Sequence, residues 1–315
     1  MPHTVLNYVC GLLSVSEQAT CTAIARVVGL SHDRISRTLK DTKLEWQTLL
    51  RAFISRAFGN LSGGHLIIDD VVLNKCYAKY IENLSWVYSS KEQRSVLGLN
   101  MVVLCWSNNT ITIPLAVKIW KKGKKKSKYD LALELLSYAM NIILLEPEYV
   151  TFDSWYAAKK ILKRLKAYHW IFYTQLKKNR KFNGVQVSRF QSTRFWTQAG
   201  KIDGDYAVLV TKHEGKYFVT NNLSASKSEI LAKYRTRWTI ETMFRMLQYQ
   251  LGMDECQTLL LRAQIAHVYM SLMAFVVLER ARRETGRTWY ALKRDLTFHP
   301  QTTQKLLSTL DLAGA

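Results

Sequence analysis

Leu66-Ile-Ile-Asp-Asp-Val-Val-Leu-Asn-Lys75 is a short apolar run that ends in two adjacent acids. A buried strand has this form, and its end places a carboxylate beside the core. The next two apolar runs, Leu97 to Ser107 and Ile111 to Val117, are joined by Ser107-Asn-Asn-Thr110, which is turn chemistry. Three successive strands predict an antiparallel meander. Beyond them, Tyr129 to Leu145 has the pattern of an amphipathic helix, and Glu148 to Phe152 that of a strand ending in Asp153. Tyr156 to Lys166 reads as a basic helix and Trp170 to Gln175 as another apolar strand. This alternation extends the meander with parallel strands, so the fold class is mixed α/β.

The flanks read differently. Residues 1–60 are helical in pattern, and Ala23-Ile-Ala-Arg-Val-Val-Gly-Leu-Ser-His-Asp-Arg-Ile-Ser-Arg-Thr-Leu39 has the rhythm of a helix-turn-helix. Gly29 falls where the turn needs a positive φ, and Ser31 is a natural N-cap. Ile35 and Leu39 then face inward. His32, Arg34, Ser36, Arg37 and Thr38 face outward, where a recognition helix meets the major groove. Residues 181–222 alternate in short pieces broken by Gly184, Gly200, Gly204 and Gly215, which predicts a small β insertion. A long helix is expected from Ser226 to Leu251 and a second from Gln257 to Arg283. The expected organisation is therefore a small all-α domain (1–60), the first part of the core (61–180), the insertion (181–222), a helical second part (223–300) and a patternless tail (301–315).

Lys and Arg number 45 against 24 Asp and Glu, a formal net charge of +21, and a surplus of that size attracts polyanions. It is spread along the whole chain, as suits a grip on a long phosphate backbone. Lys118-Ile-Trp-Lys-Lys-Gly-Lys-Lys-Lys-Ser-Lys128 concentrates it in one loop, where Lys122, Lys124, Lys125 and Lys126 are candidate phosphate contacts. No basic amphipathic helix, lipidation motif or signal peptide opens the chain, so a membrane partner is not expected. The apolar stretch Ile265 to Leu278 is short for a bilayer and contains His267, which predicts a buried helix. The cysteines Cys10, Cys21, Cys76, Cys105 and Cys256 are scattered, with neither CxxC pairs nor zinc spacing, as in a reducing cytoplasm.

Two acids at the ends of neighbouring apolar strands bring like charges together, which is costly without a neutralising cation. Mg²⁺ suits such a place, because it takes a few carboxylates and keeps several waters. A third acid follows in Tyr234-Arg-Thr-Arg-Trp-Thr-Ile-Glu241. On one continuous helix, Tyr234, Arg237, Glu241 and Gln248 share a face, and Trp238 and Ile240 beside them imply tight burial.

Tyr234-x-x-Arg237-Trp238-x-x-Glu241 resembles the Y-R-E-K signature of one group of bacterial insertion-sequence DDE transposases. Leu66 to Lys75 resembles that group's first-aspartate strand, and Phe152-Asp153-Ser-Trp-Tyr156 its second. The resemblance covers roughly residues 62 to 275. It implies an RNase H-like core with a β-strand insertion, and two Mg²⁺ ions, or Mn²⁺ in their place, held by Asp69, Asp153 and Glu241. It further implies cleavage of element ends followed by joining of the 3′-hydroxyl to target DNA. Tyr234 and Arg237 would hold phosphates next to the cut, and Trp238 would stack on an unpaired base. The expected partners are double-stranded DNA and a second copy of the chain, at the nucleoid. Two departures stand out. Gln248 replaces the signature's final Lys, with Arg245 or Lys233 as the nearest substitutes. The first motif has two adjacent acids, which point to opposite faces of a strand; Asp69 is taken as the ligand, with Asp70 as the alternative. The competing readings are an RNase H-like nuclease that never joins ends, and a catalytically dead DNA-binding regulator.

Overall fold

A computed structural model describes residues 2–190 and 196–308. Four helices come first: α1 (His3–Ser14), α2 (Cys21–Val28), α3 (His32–Lys40) and α4 (Trp46–Phe58). The strands β1 (His65–Asn74), β2 (Ser85–Ser89), β3 (Arg94–Ser107) and β4 (Thr112–Trp120) follow, then α5 (Lys128–Tyr138), β5 (Tyr149–Phe152), α6 (Lys159–Ala167) and β6 (Phe172–Leu176). The next segment holds β7 (Lys181–Phe182), β8 (Val185–Gln186), β9 (Trp196–Ile202), β10 (Tyr206–His213) and β11 (Lys216–Thr220). The chain then runs through α7 (Lys227–Arg235), α8 (Trp238–Tyr249), α9 (Leu261–Thr285), α10 (Trp289–Phe298) and α11 (Pro300–Ser308).

The meander is present: β3 pairs antiparallel with β1, β2 and β4, and β5 and β6 then add to β1 in parallel. Its entry point is set by Gly64, at φ +64°, where a Cβ would lie 2.6 Å from the Ser107 carbonyl and 2.8 Å from the Trp106 ring. Only glycine lets β1 start against the end of β3 there. The short edge strand β2 falls in a stretch without a readable alternation and was not expected.

The segment 181–222 is strand-rich, as expected; β11 pairs antiparallel with β6 and carries β10 and β9 onto the same sheet. Two expectations need correction. The helix expected from Ser226 to Leu251 breaks at Thr236. The Thr236 hydroxyl donates to the Lys233 carbonyl and the Thr239 hydroxyl to the Thr236 carbonyl. Backbone bonds there shorten to Arg237–Tyr234, Thr239–Thr236 and Ile240–Arg237, the tighter pattern that results when hydroxyls compete for helix carbonyls. The supposed tail contains α11, whose Thr303 is buried and hydrogen-bonded to Ser14 at 2.8 Å.

The first four helices are not a detached module. They share one continuous core with α9, from Val5 and Leu12 through Phe53 to Phe275 and Leu307. At 25 residues α9 is close to the helix expected from Gln257 to Arg283 and is long and apolar enough to cross a membrane, but 83% of its most apolar window is buried inside the fold. Tyr8 donates to His267 Nδ1 at 2.8 Å, which leaves Nε2 to donate to the Gly252 carbonyl at 2.7 Å. Burial lowers that imidazole to about 4 and keeps it neutral. Within α2 and α3 the turn is as expected, with Gly29 at φ +66° and the Ser31 hydroxyl accepting from the Arg34 amide. Arg34 and Arg37 are exposed, whereas Thr38 is buried, because its hydroxyl donates back to the Arg34 carbonyl.

Candidate active site

Ile68 of β1 and Phe152 of β5 are parallel partners, so Asp69 and Asp153 are the next residues on two neighbouring strands. Asp153 leaves the strand in a tight turn in which its Oδ1 accepts from the amides of Trp155 (3.0 Å) and Tyr156 (3.2 Å). The strand period separates the two adjacent acids of β1. Asp69 turns toward α8, where its Oδ2 lies 2.6 Å from Arg237 Nη1. Asp70 turns toward α5, where its Oδ2 takes Lys128 Nζ at 2.7 Å and Asn100 Nδ2 at 2.9 Å. Its Oδ1 accepts from the Tyr156 hydroxyl at 3.2 Å. Lys128, Asn100 and Tyr156 escaped the sequence reading; Lys128 had a signal, as the last cation of the lysine-rich run.

Arg237, at the head of α8, is the hinge of the arrangement. One Nη reaches Asp69 and the other reaches Glu241 Oε1 at 2.5 Å, one helical turn on. Its side chain is only 14% exposed, so both pairs are shielded from solvent. Tyr234 remains beside it despite the helix break: the guanidinium lies 5.8 Å from the ring centroid, and the ring packs edge-on against Phe218. Burial pushes the Asp69 carboxyl up to about 7; Arg237 opposes this, while Asp153 and Asp70 reinforce it. Burial also raises Asp153, with Asp70 adding to the rise. Two neighbouring acids thus resist ionisation, a condition that a cation would relieve. Among the described residues, no three His, Cys, Asp or Glu side chains are already drawn together around a metal position; Arg237 lies between Asp69 and Glu241.

Asp69, Asp70, Asp153, Arg237 and Glu241 line a cleft of about 500 Å³, with Arg245 and Gln248 farther along it. Gln248 is 8% exposed and donates to the Val72 carbonyl at 3.1 Å. It therefore ties α8 to β1. Arg245 is exposed, and Lys233 pairs with Glu148 at 3.7 Å. Trp238 is 59% exposed, against the expectation of tight burial, because the helix break at Thr236 turns it outward while Ile240 stays in the core. It borders a second cavity of about 490 Å³ together with Tyr234, Lys216 and His213. Lys122, Lys124, Lys125 and Lys126 are exposed on the loop before α5. Lys122 donates to the Trp86 carbonyl and Lys126 pairs with Glu134.

Residues 61–277 match the family profile described as "Transposase DDE domain". That span begins just ahead of β1 and ends within α9. No curated protein is similar enough in sequence to match. Among solved structures, the chain is similar to piggyBac transposase, determined by cryo-EM as a synaptic complex with hairpin DNA. The TM-score is 0.61 at 12% identity, over 98% of this chain and 73% of that one. This likeness is one of fold, and the fold is RNase H-like. DDE transposases in general use divalent metal ions. With more than half of its length matched, the chain belongs to the DDE transposases.

Proposed function

We propose that this transposase binds the ends of an insertion sequence, cleaves a phosphodiester bond there, and joins the freed 3′-hydroxyl to target DNA. The carrying observation is the convergence of Asp69, Asp153 and Glu241 on one cleft, with the Asp69 carboxyl raised to about 7. The donors fit a hard divalent cation: all are carboxylate oxygens from separate elements, and Arg237 already offers them positive charge. Asp69, Asp153 and Glu241 would hold two Mg²⁺ ions, or Mn²⁺ in their place. Ions bound there supply Lewis-acid activation of the attacking oxygen and charge relief at the leaving oxygen.

The chain's own groups do the rest. The Trp155 and Tyr156 amides hold Asp153 in one orientation. Lys128, Asn100 and Tyr156 occupy Asp70, which favours Asp69 as the ligand and gives Asp70 a supporting role. Arg237 and Tyr234 would hold the phosphate at the cut, since a planar guanidinium pairs with two oxygens at once. Gln248 would act on DNA only indirectly, by fixing α8 on β1. Trp238, exposed beside Tyr234, would stack on an unpaired base. Arg245, Lys122, Lys124, Lys125 and Lys126 would contact the backbone, and Arg34 and Arg37 of α3 would contact the duplex of the element end. By analogy with the synaptic complex of piggyBac transposase, two copies of this chain would bring two ends together.

The test is nicking of a plasmid that carries the DNA flanking the reading frame. Wild-type protein should cut it with Mg²⁺ and not with EDTA, and Asp153→Ala should retain end binding without cutting. Persistent cutting by that variant would overturn the site. Pre-cut ends that are never joined to target DNA would reduce the chain to a nuclease.

A further inference from the structure

The cleft has a wall that the catalytic reading leaves unused. Trp86 and Tyr88 of β2 are 63% and 61% exposed. Register decides which way they face. Trp86 pairs with Leu97 and Tyr88 with Ser95, while Val103, an even number of residues farther along β3, pairs with Asp69. Cross-strand partners share a face and alternate residues return to it, so both rings lie on the same face of the sheet as Asp69. Tyr88, Ser89, Ser90 and Lys91 line the cleft of the acids from this side, and Tyr249 at the end of α8 lines it from the other. Tyr249 is 60% exposed, with Lys91 Nζ 4.3 Å from its ring centroid.

Large rings left in solvent at a sheet edge invite contact with a partner. Trp86 and Tyr88 are attached about 7 Å apart along the strand, about twice the 3.4 Å rise of one DNA strand. The spacing leaves room for a flat base between them. A second copy of a chain with a formal charge of +21 would meet like charge here, where Lys91, Lys122 and Arg245 are gathered. Glu92 does not offset them, because its carboxylate is engaged by Asn74 and Arg94. A duplex presents phosphates but no base faces. Exposed rings interleaved with cations are what an unpaired strand requires.

We propose that Trp86, Tyr88 and Tyr249, with Lys91 and Lys122, form a stacking surface for unpaired nucleotides of a DNA strand entering the acid cleft. The source of that strand rests on the transposase reading, whereas the binding chemistry does not. The full chain in EDTA is titrated by fluorescence anisotropy with an oligothymidylate of about 16 nucleotides, within the span of single-strand sites, and with a blunt duplex of the same length. Trp86→Ala/Tyr88→Ala should weaken single-strand binding about 30-fold or more, given at least about fivefold per lost stack, and should leave the duplex affinity within about twofold. Trp86→Phe/Tyr88→Phe keeps the rings and should retain single-strand binding. A 2-aminopurine within the oligonucleotide should lose fluorescence on binding to wild type, a measurement that needs no variant to fold. Unchanged single-strand affinity in the alanine variant overturns the proposal, as does an equal loss on both DNAs, an unquenched 2-aminopurine, or a shift from dimer to monomer in sedimentation. Because no step requires cleavage, a chain that stacks DNA but never cuts sinks only the transposase reading. One that cuts while the alanine variant binds normally sinks only this proposal.

Discussion

Replacing Asp69 by Asn keeps the shape of the side chain and removes the charge that its surroundings resist. The Asp69 carboxyl titrates near 7 against an ordinary 3.8. Its folded value is raised, so between those two points the folded protein holds a proton that the unfolded chain has lost, and stability falls as pH rises through that window. Above about pH 7 the ionised form carries the full penalty, about 4 kcal/mol at ~1.4 kcal/mol per tenfold change. The side chain is 15% exposed, so solvent screening removes little of it. For a chain of 315 residues, with an unfolding entropy of about 2.1 cal/mol/K per residue, this corresponds to about 6 °C in Tm. In EDTA, the Tm of Asp69→Asn should therefore exceed that of wild type by about this much at pH 8, and the two should converge toward pH 5. Mg²⁺ should raise the wild-type Tm at pH 8 and leave the variant nearly unmoved. Scanning fluorimetry across pH 5 to 8.5 measures all of this. Parallel curves for the two proteins throughout that range would refute the reasoning.

Asp70→Asn removes the pair with Lys128 and should lower stability by about 1–3 kcal/mol while metal-dependent nicking survives; if Asp70→Asn abolishes nicking and Asp69→Asn spares it, the two roles are exchanged. Arg237→Ala strips two shielded acids of their shared partner and should cost about 3–5 kcal/mol in EDTA, read by urea melts, with no loss counting against the bridging role. Gln248→Lys restores the charge of the family signature, yet it forces an ammonium into a buried position that donates to Val72; a loss of about 1–3 kcal/mol is expected, and a stability gain together with tighter DNA binding would contradict it.

The order of strands was legible because each central strand is an uninterrupted apolar run, and both Asp69 and Asp153 terminate one. Strand periodicity also foresaw that Asp69 and Asp70 would face apart, but it could not say which face holds α8. That depends on where the chain packs after residue 220, a long-range matter. The shared helical face through Tyr234 and Glu241 failed for a local reason, since Thr236 and Thr239 redirect carbonyls that a continuous helix would use. Arg237 and Tyr234 stay together across the break because their contact spans only three residues. Gln248 was legible only as part of the polar helical face, since its side chain gives no sign in sequence that the Val72 carbonyl awaits it. The strands of 181–222 were legible, but the pairing of β11 with β6 was not, because it joins residues about 45 positions apart across a glycine-broken stretch.

The shared core of the N-terminal helices with α9 and α11 has a consequence for the timing of synthesis. Tyr8 waits for His267, Val15 for Lys293 and Ser14 for Thr303, each more than 250 positions later. At about 5–20 residues per second, roughly 13 to 58 seconds pass between the emergence of the first helices and that of the residues which complete their packing. During that interval the apolar sides of α1 and α4 are uncovered on the ribosome, a natural foothold for chaperones. The α2–α3 pair acquires its final support only after α10 and α11 have been made, so a nascent chain stalled before α9 should have neither a finished N-terminal core nor a finished cleft.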